Sequence, residues 1–186
     1  MKRGPSAPTL AAMDHVIFPA GPADAEALAD VHVRAWRETY RGLLPDAYLA
    51  RMSVVAHARR WAGSLTRPGP GELTLAAADR AGLVGYACAA PSRTGRAGEG
   101  EIQTLYILKR AQRAGLGRRL VADAARALAA QGATSLMISV LRDNHRARGF
   151  YEHLGGVSEP ERREPGPGGL VFEVAYRWGN IGALAG

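Results

Sequence analysis

Gln112-Arg113-Ala114-Gly115-Leu116-Gly117-Arg118-Arg119 is the stretch on which the reading of this chain turns. Before it, Glu101 to Leu108 reads as a strand. After it, Gly115 to Gln131 reads as a helix, with Leu116, Leu120, Ala124 and Leu128 on one stripe. Glycines at the mouth of a helix let backbone N–H groups come close to a ligand, and a helix N-terminus carries roughly half a positive charge. The loop therefore suits a diphosphate, with Arg113, Arg118 and Arg119 adding mobile positive charge. A tight strand-to-helix turn with solvated arginines uses the same residues, so the two glycines alone do not choose between these readings. Other phosphate signatures fail. A dinucleotide fingerprint needs glycine where Leu120 stands, and neither Lys2 nor Lys109 sits in the Gly-Lys-Ser/Thr of a P-loop. The nucleophile elbow G-x-S-x-G and the zinc-protease H-E-x-x-H are also missing.

Working outward, His15 to Phe18 reads as a first strand, ended by Pro19, Gly21 and Pro22. Helical spacing follows from Asp24 to Leu44-Pro45, and a second helical stretch spans Ala47 to Leu65. LTLAAAD and LVGYACAA form a hairpin around Asp79-Arg80-Ala81-Gly82. Beyond the glycine loop and its helix, Ser135 to Val140 is a strand, Asn144 to Leu154 a helix closed by Gly155, and Leu170 to Trp178 a last strand. PERREPGPGG before that strand reads as a breaker-rich connection, with room for one more strand nearby. The order is that of one mixed α/β domain around a single sheet, over residues 12–186, with residues 1–11 as a disordered tail.

Composition narrows the function. The chain has 186 residues, 47% of them hydrophobic and 22% charged, enough to bury a core. No run approaches the roughly 18 apolar residues of a membrane span, and the N-terminus lacks a signal-peptide core. A cytoplasmic address is the expectation, with no membrane partner. Cys88 is the only cysteine, which excludes an internal disulfide and a cysteine zinc cage. The five histidines show no ligand spacing, so no metal is expected. The net charge of +7 admits either a nucleic acid or a phosphate-bearing small molecule as partner. The arginines gather at the glycine loop and over residues 142–148, without the interleaved aromatics of a nucleic-acid surface, so no nucleic-acid partner is expected.

A second cluster, Asn144-His145-Arg146-Ala147-Arg148-Gly149-Phe150-Tyr151-Glu152-His153-Leu154-Gly155, completes the pattern. The pairing of Q-x-x-G-x-G with a downstream N-x-x-A-x-x-F-Y-x-x-L-G resembles the GNAT superfamily of acetyl-CoA-dependent N-acetyltransferases, over about residues 13–178. Gly156 departs from it, where the family often has an aromatic residue. The resemblance implies a mostly antiparallel sheet of six to seven strands, flanked by about four helices and with splayed central strands. It also implies acetyl-CoA as co-substrate, and family members are often homodimers.

The roles the resemblance implies each have a physical reason. Pantetheine amides can pair with an open strand edge as a peptide would, so the backbone around Tyr106, Ile107 and Leu108 is a candidate. The loop Gln112, Arg113, Ala114, Gly115, Leu116, Gly117 and Arg118 would take the diphosphate. Asn144 would face the cofactor arm, a role compatible with a plain helix cap. Tyr151 is the candidate acid for the departing thiolate, facing the cleft while Phe150 enters the core; the alternative is a second core aromatic. Glu101 is the candidate base for the attacking amine, directly or through water, with Glu99 a weaker substitute and a solvated strand end the alternative. Trp36 and Tyr40, in AWRETYRGLLP, share a helix face and either wall an amine pocket or belong to the core. Trp61, Trp178 and Cys88 read as packing, and His145 and His153 as outer-face residues.

The expected activity is acetyl transfer to a primary amine, most readily that of a small molecule, by direct attack in a ternary complex. A coenzyme A-binding sensor without turnover and an acetyltransferase acting on protein N-termini or lysines are the alternatives.

Overall fold

β4 (Glu99–Ile107) runs through the middle of the sheet, and the fold is arranged around it. The structure is a computed structural model that describes residues 15–185; the expected tail at 1–11 lies outside the described residues. On one side of β4 lie β3 (Gly82–Pro91), β2 (Leu73–Asp79) and β1 (Val16–Pro19), all antiparallel. On the other lies β5 (Ser135–Leu141), the one parallel neighbour, followed by β8 (Gly169–Trp178). The far edge of β8 carries β6 (Val157–Ser158) and β7 (Arg162–Gly166). The sheet has eight strands where six to seven were expected. The extra one is β7, inside the stretch read as a breaker-rich connection. Pro165 is tolerated there because β7 is an edge strand, paired only with β8.

Among the described residues five α-helices flank the sheet, where about four were expected. They are α1 (Ala25–Tyr40), α2 (Asp46–Arg51), α3 (Val54–Thr66), α4 (Leu116–Ala130) and α5 (His145–His153). The stretch expected as one helix over Ala47 to Leu65 is broken between α2 and α3. Met52 and Ser53 adopt extended backbone, and the Ser53 side chain accepts from Ala56 N at 3.3 Å to start a new helix.

Two apolar layers hold these elements to the sheet. On one face, Leu116, Leu120, Ala124 and Leu128 of α4 pack with Tyr151 of α5 and with Ile102, Leu136, Ile138, Val174 and Tyr176. On the other, Leu28, Val31 and Ala35 of α1 pack against Ala76, Tyr86 and Leu108, with Trp61 of α3 beside them. The expected α4 stripe is therefore the buried face of that helix. Replacing Leu120, fully buried at its centre, with alanine is expected to cost about 2–5 kcal/mol. Chemical denaturation monitored by circular dichroism checks this.

One irregularity positions everything that follows. β4 and β5 pair only over Glu99↔Ser135, Gly100↔Leu136 and Glu101↔Met137. β3 stays with β4 as far as Gly85↔Ile107, so β4 beyond Gln103 is paired on one side only. The register slips between Ala89↔Ile102 and Cys88↔Thr104, which leaves Gln103 as a bulge. Bulges bend and twist a strand, and here the bend falls where β4 leaves β5. The paired end is tied by ions: Arg177 of β8 bonds Glu99 of β4 and Glu159 before β7.

Candidate active site

The glycine loop lies at the open end of β4. Gly115 precedes α4 with φ +76°, in the left-handed region, and Arg113 lies there too, at φ 67°. A Cβ at Gly115 would meet nothing within 4 Å, so the glycine serves backbone conformation rather than close packing. Among the described residues, none of the N–H groups of residues 113–118 donates to a backbone carbonyl. The first intrahelical bond there runs from Arg119 N to Gly115 O, at 3.2 Å. Six successive residues thus offer unspent donors at the start of a 15-residue helix, which is the chemistry a diphosphate needs. Arg113 and Arg118 are exposed, whereas Arg119 is anchored to His15 O at 3.0 Å. Gln112 is turned away from this cradle: its amide nitrogen donates to Ile107 O at 2.6 Å, bracing the loop against the strand.

The strand edge can be assigned atom by atom. Leu108 N donates to Val84 O at 2.8 Å, so that amide is spent on the β3 side. Strand alternation then turns the peptide groups of Ile107 and Leu105 towards the gap left by β5, and those of Tyr106 towards β3. Of the three expected residues only Ile107 turns its backbone to the opening, with its carbonyl taken by Gln112 and its N–H facing the gap, and Leu105 joins it. The signal for Leu105 was the two-residue period of the strand itself.

Two phenols meet at this gap, and a third lies on the opposite face of the sheet. Tyr106 projects from β4 towards α1, where its hydroxyl hydrogen-bonds that of Tyr40 at 2.9 Å. Tyr40 is edge-on to Trp36 with ring centroids 4.9 Å apart, so the expected aromatic pair exists and faces β4. The Trp36 indole nitrogen is buried without a hydrogen-bond partner. Tyr151 comes from α5, on the opposite face of the sheet, yet the charge of Tyr40 raises its pKa after burial has done so.

Burial is the reverse of the expected pattern at Phe150 and Tyr151. Tyr151 is enclosed by Tyr176 and Trp178, and only 6% of it is exposed. Phe150 is half-buried, and its Cζ would lie 3.2 Å from a Cβ on Gly117, so it sits against the first turn of α4. Asn144 is a helix cap: its Oδ1 accepts from Ala147 N at 3.2 Å.

The carboxylates divide sharply. Glu101 is 2% exposed, and both of its oxygens accept from Arg93, at 2.5 Å to Oε1 and at 3.1 Å to Oε2. That grip makes it a poor direct proton acceptor. Glu99 is occupied by Arg177, Ser92 and Thr94. Glu173 on β8 is different: half-buried, with no ion pair or hydrogen bond among the described residues. Burial and then the nearby Glu164 carboxylate push its pKa up. Its position far along the chain gave no sequence signal.

The β7–β8 hairpin roofs this side. At its tip, a Cβ on Gly168 would meet Pro45 Cγ at 2.6 Å, so the turn rests on the α1–α2 connection. A polar cavity of about 260 Å³ lies further along, bordered by α1, α3, β2, β3 and the bulge, with His32, His57, Tyr86, Gln103 and Thr104 among its lining residues. His32 bonds the Tyr86 hydroxyl at 2.6 Å, and its pKa is lowered to about 4 by burial, His57 and Arg60. Cys88 also lines that cavity and is half-buried; burial pushes its thiol up. Among the described residues there is no group of three or more His, Cys, Asp or Glu able to hold a metal, and no helix long and apolar enough to cross a membrane.

A strand that parts from its parallel neighbour beside an unsatisfied helix N-terminus can take an amide-bearing arm and a diphosphate side by side. The model of the acetyltransferase (GNAT) family matches residues 28–156, and the chain belongs to this family. It is an N-acetyltransferase fold throughout. The uncharacterized N-acetyltransferase YuaI of Bacillus subtilis (strain 168) is 28% identical over 162 residues, which are 87% of this chain and 91% of that one. The structure of the PaiA N-acetyltransferase of Thermoplasma acidophilum in complex with coenzyme A has a TM-score of 0.65 at 20% identity, covering 89% of this chain and 100% of that one. YncA of Salmonella typhimurium, solved with acetyl-CoA, has a TM-score of 0.67 at 17% identity, covering 90% and 94%. The ribosomal-protein-alanine N-acetyltransferase of Brucella melitensis has a TM-score of 0.69 at 20% identity, covering 88% and 98%. The protein is thus an acyltransferase that uses acetyl-CoA; the acceptor is a separate question.

Proposed function

We propose that the acceptor is a primary amine of a small molecule, acetylated by direct attack in a ternary complex. The observation that carries this is the hydroxyl pair of Tyr40 and Tyr106 at the edge of β4 that β5 leaves open, beneath a hairpin seated on Pro45. A roof resting on the α1–α2 connection suits a compact acceptor better than a polypeptide.

When bound, acetyl-CoA supplies a thioester carbonyl and a sulfur leaving group. The free N–H groups of residues 113–118 fit its diphosphate, and the peptide groups of Leu105 and Ile107 fit its amide arm. The Asn144 amide nitrogen has no hydrogen-bond partner among the described residues and would face the same arm. Tyr151 is the acid: burial raises its pKa, so the phenol is fully protonated at neutral pH and has a proton to give. Trp36 and Tyr40 present ring faces and edges to an incoming cation. Glu101, fixed by Arg93, orders the entry to this gap and reaches an acceptor only through water.

Thiol release from acetyl-CoA with a panel of small primary amines and of peptides tests the reading. At least one small amine is expected to accelerate release well beyond peptides. Release with peptides alone would move the acceptor to proteins, and binding without release to any amine would favour a coenzyme A sensor.

A further inference from the structure

We propose that Glu173 receives the cationic head of the acceptor and takes its proton, the part the sequence suggests for Glu101. This rests on the acetyltransferase reading above. On β8, Val174 and Tyr176 point into the core shared with α4 and α5, so Glu173 and Ala175 point to the other face, where α1 lies. Glu173 pairs with Leu141, at the end of β5 that has already parted from β4. It therefore stands across the opening from Tyr106 and its partner Tyr40. The Glu173 charge reaches Tyr40, whose pKa it helps to raise after burial has done so.

The groups that face Glu173 are few. Glu164 and the directly opposed Arg162 come from β7, Glu101 from β4, Arg93 from the β3–β4 connection and Tyr40 from α1. Two cations are among them, and both are engaged: Glu101 holds the Arg93 guanidinium through two bonds, and Arg162, opposite Glu173 on β7, bonds Glu159 at 3.4 Å. An otherwise basic chain thus keeps an unpaired, half-buried carboxylate with two further carboxylates around it. A protonated amine satisfies that arrangement, whereas an acceptor with a negative charge next to its amine does not. The substrate class is a small amine that is cationic in solution.

The proton balance closes with residues in hand. Glu173 accepts one proton from the ammonium, which frees the nitrogen lone pair, and later passes it to solvent. Tyr151 gives its proton to the sulfur as the carbon–sulfur bond breaks, and recovers one from the nitrogen as the new carbon–nitrogen bond forms. The products are an amide and a free thiol, with one proton released.

The test is Glu173→Gln, assayed with the best amine of the panel. We expect kcat/KM at neutral pH to fall about 100-fold. The acid limb of the pH profile, where Glu173 protonates, should vanish, and activity should recover as pH nears the pKa of the amine. Coenzyme A affinity should be unchanged and Tm equal or higher. Retention of both rate and acid limb would overturn the proposal. A second readout does not need turnover. Carboxyl NMR of wild type, with Glu173 assigned by difference, should place it above the ordinary glutamate value of about 4.3. Its pKa should drop on adding n-butylamine; indifference to the amine would equally overturn the proposal. Should the glutamine variant fail to fold, Glu173→Asp should lose about tenfold while keeping the acid limb, and full activity there would count against the assignment. If wild type releases no thiol with any amine, the acetyltransferase reading fails, and the titration still decides the anchor.

Discussion

Tyr151→Phe is expected to lower kcat by about 100-fold or more while leaving the Kd of coenzyme A within about twofold of wild type. The split follows from where the side chain sits. The ring of Tyr151 is packed among Tyr176, Trp178 and Phe150, and phenylalanine keeps all of that packing. Only the hydroxyl is lost, and the diphosphate cradle on α4 does not include it. Burial and the neighbouring Tyr40 hold the phenol protonated across the neutral range, so wild-type activity should show no loss of acid function between pH 6 and 9. The variant should be flat and slow over the same interval. Steady-state thiol release, with calorimetry for coenzyme A, checks both halves. An unchanged kcat would reduce Tyr151 to a core aromatic.

Gly115→Val is expected to do the opposite: raise the Kd of coenzyme A about 100-fold, with Tm lowered by only a few degrees. The new Cβ would meet no atom within 4 Å, so steric contact at that carbon is not the difficulty. The backbone is the difficulty, because φ +76° is a strained region for a β-branched residue, at about 1–3 kcal/mol. Relaxing that strain rotates the peptide units on either side and turns N–H groups of the loop away from the diphosphate. Each charge-assisted bond contributes about 1.5–3 kcal/mol, so losing one or two gives the stated change. Calorimetric titration with coenzyme A reads it directly, and an unaltered Kd would remove the loop from the site.

Local pattern carried much of this structure into the sequence, and the limits are instructive. The stripe Leu116, Leu120, Ala124 and Leu128 announces α4 because one helix face must be buried, and Asp79 to Gly82 announces a hairpin because turns have their own chemistry. The break at Ser53 was harder to see, since a serine within a helical pattern reads equally as an interior or a cap residue. β7 was hidden by Pro165 and its glycines, which argue against a strand everywhere except at an edge. The same limit applies to the site. The loop at Gly115 and the Asn144 to Gly155 cluster are contiguous and therefore legible. Arg93 clamping Glu101, and Glu173 facing Tyr40, depend on pairings between distant strands that no local period encodes. The exchange of Phe150 and Tyr151 has a similar origin: consecutive helix residues point about 100° apart, and only packing against Gly117 decides which one the core takes.

Everything proposed about catalysis depends on coenzyme A lying along the opened edge of β4 with its diphosphate at the start of α4. Amide hydrogen exchange with and without coenzyme A measures this residue by residue. Slowed exchange should concentrate at residues 113–118 and at Leu105 and Ile107, with the α3 side of the cavity around His57 unaffected. Unchanged exchange at the loop and at β4, or protection confined to that cavity, would contradict it.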